Sequence, residues 1–253
     1  FMLASLLTSI EDYDKSIEVY NEIPKQHYLG EYASIQISNL YSLQDNNKEA
    51  IEQLEKFLKT KKTFDGFLSL GNYYRYDSEW EEAVEAYQKA IDIGDIFDNQ
   101  NLWEAFFKVG IVHERSDNWD KAENYFLKAL ELYSDQPDVL NYLGYSYIDM
   151  DTNMGAAKEM IEKALQQKPN DPYIIDSMAW YYFKTGAYEE AKSLLEYAID
   201  LMPYDPIINE HYGDALWKSG KSVEARFHWS KALELDPEEE TIADIKIKIL
   251  KGI

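Results

Sequence analysis

The chain has 253 residues, 25 basic and 47 acidic, for a formal charge of −22 at neutral pH. Such a surface repels phosphate backbones and anionic lipid, which argues against nucleic-acid binding. There is no cysteine, so disulfides, thiolate zinc sites and a cysteine nucleophile are excluded. No apolar run reaches the roughly 18 residues of a membrane-spanning helix, and no direct membrane insertion is expected. The opening FMLASLLTSI is too short for a signal peptide and lacks the basic flank of one.

In chain order, apolar and small residues recur in units of about 34 residues, each readable as two helices folded back on each other. Residues 1–30 fit this frame only from its fifth position, with Leu3, Ala4, Leu7, Ser16, Tyr20 and Ile23 in register. An apolar start inside a helix, with no polar cap, predicts a piece of a longer protein. Residues 31–63 form the most degenerate unit, one residue short, with Ile37, Ser38, Tyr41, Ala50, Leu54 and Phe57. Residues 64–97 are clearer: Phe67, Leu70, Gly71, Tyr74, Trp80, Ala83, Tyr87 and Ala90. DNQNL at 98–102 is expected to be a loop, because consecutive Asp and Asn favour turns.

Residues 103–136 follow, with Val109, Gly110, His113, Trp119, Ala122, Phe126 and Ala129. Residues 137–171 carry one extra residue, which is expected in the turn at 149–155. Residues 172–205 and 206–239 are the most regular units. Residues 240–253 read as a capping helix, with Thr241 as its N-cap and Ile242, Ile245 and Ile249 on one face. The true C-terminus is expected here.

Counting Pro206 as position 1, Gly213 is at position 8, Gly220 at 15, Ala225 at 20, Trp229 at 24, Ala232 at 27 and Pro237 at 32. Position 8 is always small (Ala4, Ser38, Gly71, Gly110, Gly144, Ala179, Gly213), as a close helix crossing requires. Position 20 is alanine in all six full units. This pattern resembles the tetratricopeptide repeat (TPR) family, whose units carry W-x2-L-G-x2-Y, then A-x3-F, A and P. The resemblance implies an all-α, right-handed superhelical solenoid of helix-turn-helix repeats, a single array over residues 1–253 closed by the C-terminal helix.

The resemblance also implies that the first helices of the units line a concave groove, with positions 2, 5, 9 and 12 pointing into it. In the last four units these are Glu104, Phe107, Ile111, Glu114; Asp138, Asn141, Tyr145, Ile148; Tyr173, Asp176, Trp180, Phe183; and Ile207, Glu210, Asp214, Trp217. Aromatics interleave with acids. Rigid aromatics bury area at little entropic cost, and acids beside them favour lysine or arginine on a ligand. The candidate partner-binding residues are therefore Phe107, Tyr145, Asp176, Trp180, Phe183, Glu210, Asp214 and Trp217. The expected partner is a protein or peptide segment, apolar with basic character.

A carboxylate-clamp ligand fits poorly. Asn39, Asn72, Asn141 and Arg75 are in place, but no lysine occupies position 5. His113 falls at a core position. Glu210, His211 and Asp214 share a helix without a partner from another element. No Gly-rich phosphate loop, nucleophile elbow or metalloprotease helix appears. The expectation is a non-enzymatic adaptor with no catalytic residue, metal or cofactor. The alternative is a scaffold that self-associates.

Residues 139–233 are further similar to the C-terminal part of a proteobacterial envelope TPR family. The likeness rests on IIDS at 174–177 and DPIINEHYGDALW at 205–217. It singles out Asp176, Asn209, Glu210, His211, Asp214 and Trp217. It implies a periplasmic or envelope-attached assembly factor, with the cytoplasm as the alternative.

Overall fold

The computed structural model describes residues 1–96 and 100–253, excluding the side chains of Ile96 and Glu240. Among the described residues it contains fifteen α-helices and no strand. They fall into two compact units, Phe1–Tyr133 and Ser134–Ile253.

The first unit holds α1 (Met2–Ser9), α2 (Tyr13–Asn21), α3 (Gly30–Ser42), α4 (Asn47–Leu58), α5 (Phe64–Tyr76), α6 (Trp80–Ile96), α7 (Leu102–Arg115) and α8 (Trp119–Leu132). The second holds α9 (Pro137–Asp149), α10 (Met154–Gln167), α11 (Pro172–Lys184), α12 (Tyr188–Leu201), α13 (Pro206–Lys218), α14 (Ser222–Glu234) and α15 (Glu239–Lys251). From α1 to α13 the odd-numbered helices are the first of each pair, and α15 follows the last pair. The expected loop at 98–102 lies partly outside the described residues. Of its described part, Gln100 and Asn101 form a turn, whereas Leu102 is already the first residue of α7.

Local signals set the helix boundaries. The side chains of Thr63, Gln136, Asp171 and Asp205 accept hydrogen bonds from backbone amides of the first turns of α5, α9, α11 and α13. These amides have no intrahelical acceptor, and a polar N-cap satisfies them for about 1 kcal/mol each. Pro137, Pro172 and Pro206 open α9, α11 and α13, where a missing N–H costs nothing. Pro169 and Pro203 follow α10 and α12 by two residues and forbid continuation. The extra residue of unit 137–171 lies where expected: four residues, 150–153, separate α9 from α10, whereas three separate α11 from α12 and α13 from α14.

Each turn inside a pair has a residue in the left-handed region at position 15, and the longer α9–α10 turn has a second, Asn153. The position-15 residues are Glu11, Asp45, Ser78, Asp117, Asp151, Gly186 and Gly220. Only the last two are glycine, so five L-residues hold a conformation that costs them roughly 1–2 kcal/mol.

Packing within a pair matches position 8 to position 24 in most units, the exceptions being Gly144 against Ile161 and Ala4 in register with Tyr20. A Cβ on Gly71 would meet the Tyr87 ring at 2.4 Å, on Gly110 the Phe126 ring at 2.4 Å, and on Gly213 the Trp229 indole at 2.5 Å. The aromatic at position 24 thus lies flat on the backbone at position 8. Where position 8 is Ser38 or Ala179, position 24 is the slimmer Leu54 or Leu195, and both leucines are fully buried. The six position-20 alanines, Ala50, Ala83, Ala122, Ala157, Ala191 and Ala225, have no exposure at all. The core is a chain of such crossings, as a repeat array requires.

The C-terminal helix forms, with one correction. Thr241 is not its N-cap. α15 begins at Glu239 after Glu238, and the Thr241 hydroxyl donates back to the Glu238 carbonyl at 2.9 Å. This Ser/Thr back-bonding to a preceding carbonyl serves a residue inside the first turn rather than before it. Ile245 is fully buried, and Ile249 packs beside it with Trp217 and Trp229.

Candidate inner face of the second unit

α13 carries the densest polar chemistry, and nearly all of it is consumed in joining helices. Asp205 caps the helix through Ile208 N at 2.9 Å. One turn on, Asn209 Nδ2 donates to the carbonyls of Pro203 (3.2 Å) and Asp205 (2.7 Å), pinning the incoming loop. Its Oδ1 is therefore an acceptor and receives His228 Nδ1–H from α14 at 3.0 Å. Burial pushes His228 down to about 4, with the Lys231 charge adding to the shift, so the imidazole stays neutral.

His211 faces the preceding first helix. Its Nδ1 lies 2.9 and 3.0 Å from the two carboxylate oxygens of Asp176 on α11, and both residues are buried. Burial alone would lower the imidazole. The Asp176 carboxylate, with Asp214 and Glu210 behind it, outweighs burial and holds His211 above its ordinary value. Trp180 stacks on the imidazole at 4.2 Å and 12°, and Phe183 stacks on Trp180 at 4.9 Å and 4°. The Tyr145 ring reaches the same imidazole at 6.5 Å. Trp180 is half-buried, and its Nε1 has no acceptor within the protein.

Next along, Asp214 accepts from Trp229 Nε1 at 2.8 Å. Lys248 of α15 reaches Glu210 and Asp214, each at 2.7 Å. The partners respond unequally to burial. Asp214 is raised by burial, against the pull of Lys248, which it shares with Glu210. Lys248 is raised despite its burial, because two carboxylates face it. Both contacts converge on the Lys248 ammonium group, which stays charged between the two carboxylates. Trp217 packs on Trp229 at 5.5 Å and lies under the Arg226 guanidinium at 4.7 Å. Its Nε1 donates to the Ile253 carbonyl at 3.0 Å.

The structure therefore separates the eight candidate residues. Phe107, in the first unit, is 8% exposed and packs on Phe126 at 5.8 Å, as a core residue. Asp176 and Asp214 are 5% and 3% exposed and bonded inside the chain. Glu210 and Trp217 are engaged by α15. Trp180, Phe183 and Tyr145 remain half-buried on one aromatic ledge. The sequence reading missed three partners, Lys248, His211 (for Asp176) and His228 (for Asn209). Each lies on another helix, and the periodicity that revealed the repeats shows only which face a residue shares, not which side chains meet. Among the described residues no group of His, Asp and Glu converges as metal ligands. No helix among the described residues is long and apolar enough to cross a membrane.

The first unit builds its inner face differently. Tyr73 and Tyr87 donate their hydroxyls to Asn39 Oδ1 (2.5 Å) and Asn72 Oδ1 (2.8 Å). Burial raises both phenols, so they remain protonated donors. Between α3 and α5 lies a recess of about 330 Å³ lined by Asn39, Ser42, Leu43, Asn72 and Tyr76 among others.

Profiles of the tetratricopeptide repeat match residues 66–135, 108–172 and 177–240. The chain belongs to the tetratricopeptide repeat family. A TPR repeat-containing protein of Pseudomonas aeruginosa is 42% identical over 59 residues, 22% of this chain and 10% of the relative. Another, from Methanocaldococcus jannaschii, is 25% identical over 190 residues, 72% of this chain and 32% of the relative. The chain thus spans about a tenth and about a third of the lengths of these relatives. Among solved structures, a TPR protein of Parabacteroides merdae superposes with a TM-score of 0.74 at 15% identity, covering 99% of this chain and 97% of that one. A chain of the APC/C hetero-tetramer Cut9–Hcn1 gives 0.76 at 17% identity, covering 98% and 48%. These likenesses establish the TPR fold. Proteins of this family commonly serve as scaffolds that bind other proteins.

Proposed function

We propose that this TPR chain is a non-enzymatic adaptor that holds a protein segment against the aromatic ledge of its second unit. The observation that carries this reading is Trp180. Its ring is fixed by stacking on His211 and Phe183, and part of it stays exposed. An indole already immobilised loses little entropy on binding, and its exposed edge offers apolar area to a segment laid against it. The site is narrower than the groove read from the sequence. Tyr145, Trp180 and Phe183 form it, and the acids Asp176, Glu210 and Asp214 are spent on partners within the chain. An apolar segment fits the ledge, and the charge of −22 draws a basic one towards it. Residence in the periplasm or cell envelope rests on the resemblance over residues 139–233.

The test is crosslinking capture from the host's lysate with the wild type and with Trp180→Ala plus Phe183→Ala, after circular dichroism confirms that the variant is helical. A protein captured by the first and lost from the second supports the reading. Equal capture by both removes the ledge as the site.

A further inference from the structure

α15 packs on α14 and reaches across to α13 with the chemistry of a ligand. Its lysine sits between the Glu210 and Asp214 carboxylates, and Ile245 and Ile249 enter the cluster around Trp217 and Trp229. Its C-terminal end lies on the Trp217 ring. Gly252 has a φ of +78° and approaches so closely that a Cβ there would come within 1.9 Å of the indole.

The receiving surface is built on α13 and α14, although Arg226 also donates its Nε–H to the Ile249 carbonyl of α15 at 2.9 Å. Trp229 holds Asp214, Asp176 holds His211, and Trp229 with Arg226 holds the Trp217 ring. α15 is held mainly by polar contacts, from Lys248 to Glu210 and Asp214, from Arg226 to the Ile249 carbonyl and from Trp217 to the Ile253 carbonyl, and by little buried apolar surface. Ile245 is its one fully buried side chain among the described residues, while α13 buries seven residues. The opposite side of α15 leaves Ile247 49% and Leu250 77% exposed.

We infer that the Glu210–Asp214–Trp217 cradle is a docking site for a lysine-bearing amphipathic helix of a partner protein, and that α15 is its resident, replaceable occupant. Charge fixes the kind of partner. If α15 leaves, two neighbouring carboxylates lose their shared cation, and an uncompensated acid pair in a partly buried site is costly. A replacement must bring an ammonium group with apolar residues three before it and one after, the spacing of Ile245, Lys248 and Ile249. A preorganised cradle favours such an exchange, since the incoming helix alone must be ordered. This site is separate from the Trp180 ledge and does not rest on it.

The test uses the full chain and a labelled peptide of residues 238–253, read by fluorescence anisotropy. Lys248→Glu sets a carboxylate against Glu210 and Asp214. Gly252→Ala strains the contact on Trp217 without touching the charges. Both loosen α15 and leave the cradle intact. Each variant is expected to bind the peptide at least tenfold tighter than the wild type. The peptide carrying Lys248→Glu should bind at least tenfold more weakly than the native one, and that difference should vanish when Glu210→Gln and Asp214→Asn are added to the chain. Binding no tighter in either variant overturns the proposal, as does equal binding of the two peptides. Concentration-dependent dimerisation that excludes the peptide would assign the cradle to a second copy and overturn the partner reading. Trp180 is retained throughout, so the result is independent of the ledge.

Discussion

The two units solve one problem with different chemistry. Both must line the inner face of their first helices with polar groups while packing neighbouring repeats. The first unit relies chiefly on neutral pairs, tyrosine hydroxyls on asparagine oxygens with the Arg75 guanidinium beside Tyr87, and leaves a recess between α3 and α5. The second uses charged and indole groups, Asp176 with His211, Asp214 with Trp229, and Lys248 with both Glu210 and Asp214. Neutral pairs tolerate the loss of a member, because each remaining group asks for one modest bond. A buried charge left alone does not. The second face should therefore be the more brittle, and a motif rich in conspicuous polar residues can be joinery rather than a reading head.

The largest expected effect is at the position-24 rings. Trp229→Ala and Phe126→Ala should each cost about 3–5 kcal/mol in chemical denaturation, with Trp229→Ala the worse because it also removes the donor to Asp214. Equal losses would mean that the indole acts only by its volume.

The contrast in charge gives the next effect. Asp176→Ala leaves His211 buried without its carboxylate and should cost about 3–5 kcal/mol. Asn39→Ala leaves one tyrosine hydroxyl without its acceptor and should cost about 1–3 kcal/mol. Comparable values by urea titration would erase the distinction between the units.

The same pair predicts a pH dependence. The folded value of His211 lies above its unfolded value of about 6.5, so the stability it contributes is complete below that pH. It fades as pH rises through the raised folded value. The difference in melting temperature between wild type and His211→Gln should shrink from pH 6 towards pH 9. A gap that widens with pH would contradict an ionised pair.

The smallest effect is in the turns. Ser78→Gly in the first unit relieves a left-handed serine and should add about 0.5–1 kcal/mol. Gly220→Ala in the second has open space around the new Cβ, so its cost of about 1 kcal/mol is purely conformational. Thermal melts that move together would show that the turn backbone differs from this geometry.

The repeat frame was legible because it depends on local rules. Asp–Pro at a helix start, a small residue at position 8, alanine at position 20 and proline after the second helix each report one backbone need. Each recurs often enough to fix the register of the helix pairs. Even the single extra residue near Asp151 was placed by register alone. Thr241 was misjudged because a hydroxyl just before an apolar run serves equally as a cap or as a first-turn donor to the preceding carbonyl.

The inner face was legible only by direction. Periodicity puts Asp176, Trp180, Glu210, Asp214 and Trp217 on one side of their helices, and the structure keeps them there. The sequence by itself determined the TPR fold, the helix pairs and the residue types at each crossing, since these follow from the local chain and its spacing. The tertiary structure alone decided which polar residues were spent. Whether a carboxylate meets a ligand or Lys248 depends on where a helix 34 or more residues away comes to rest, and no local pattern encodes that distance.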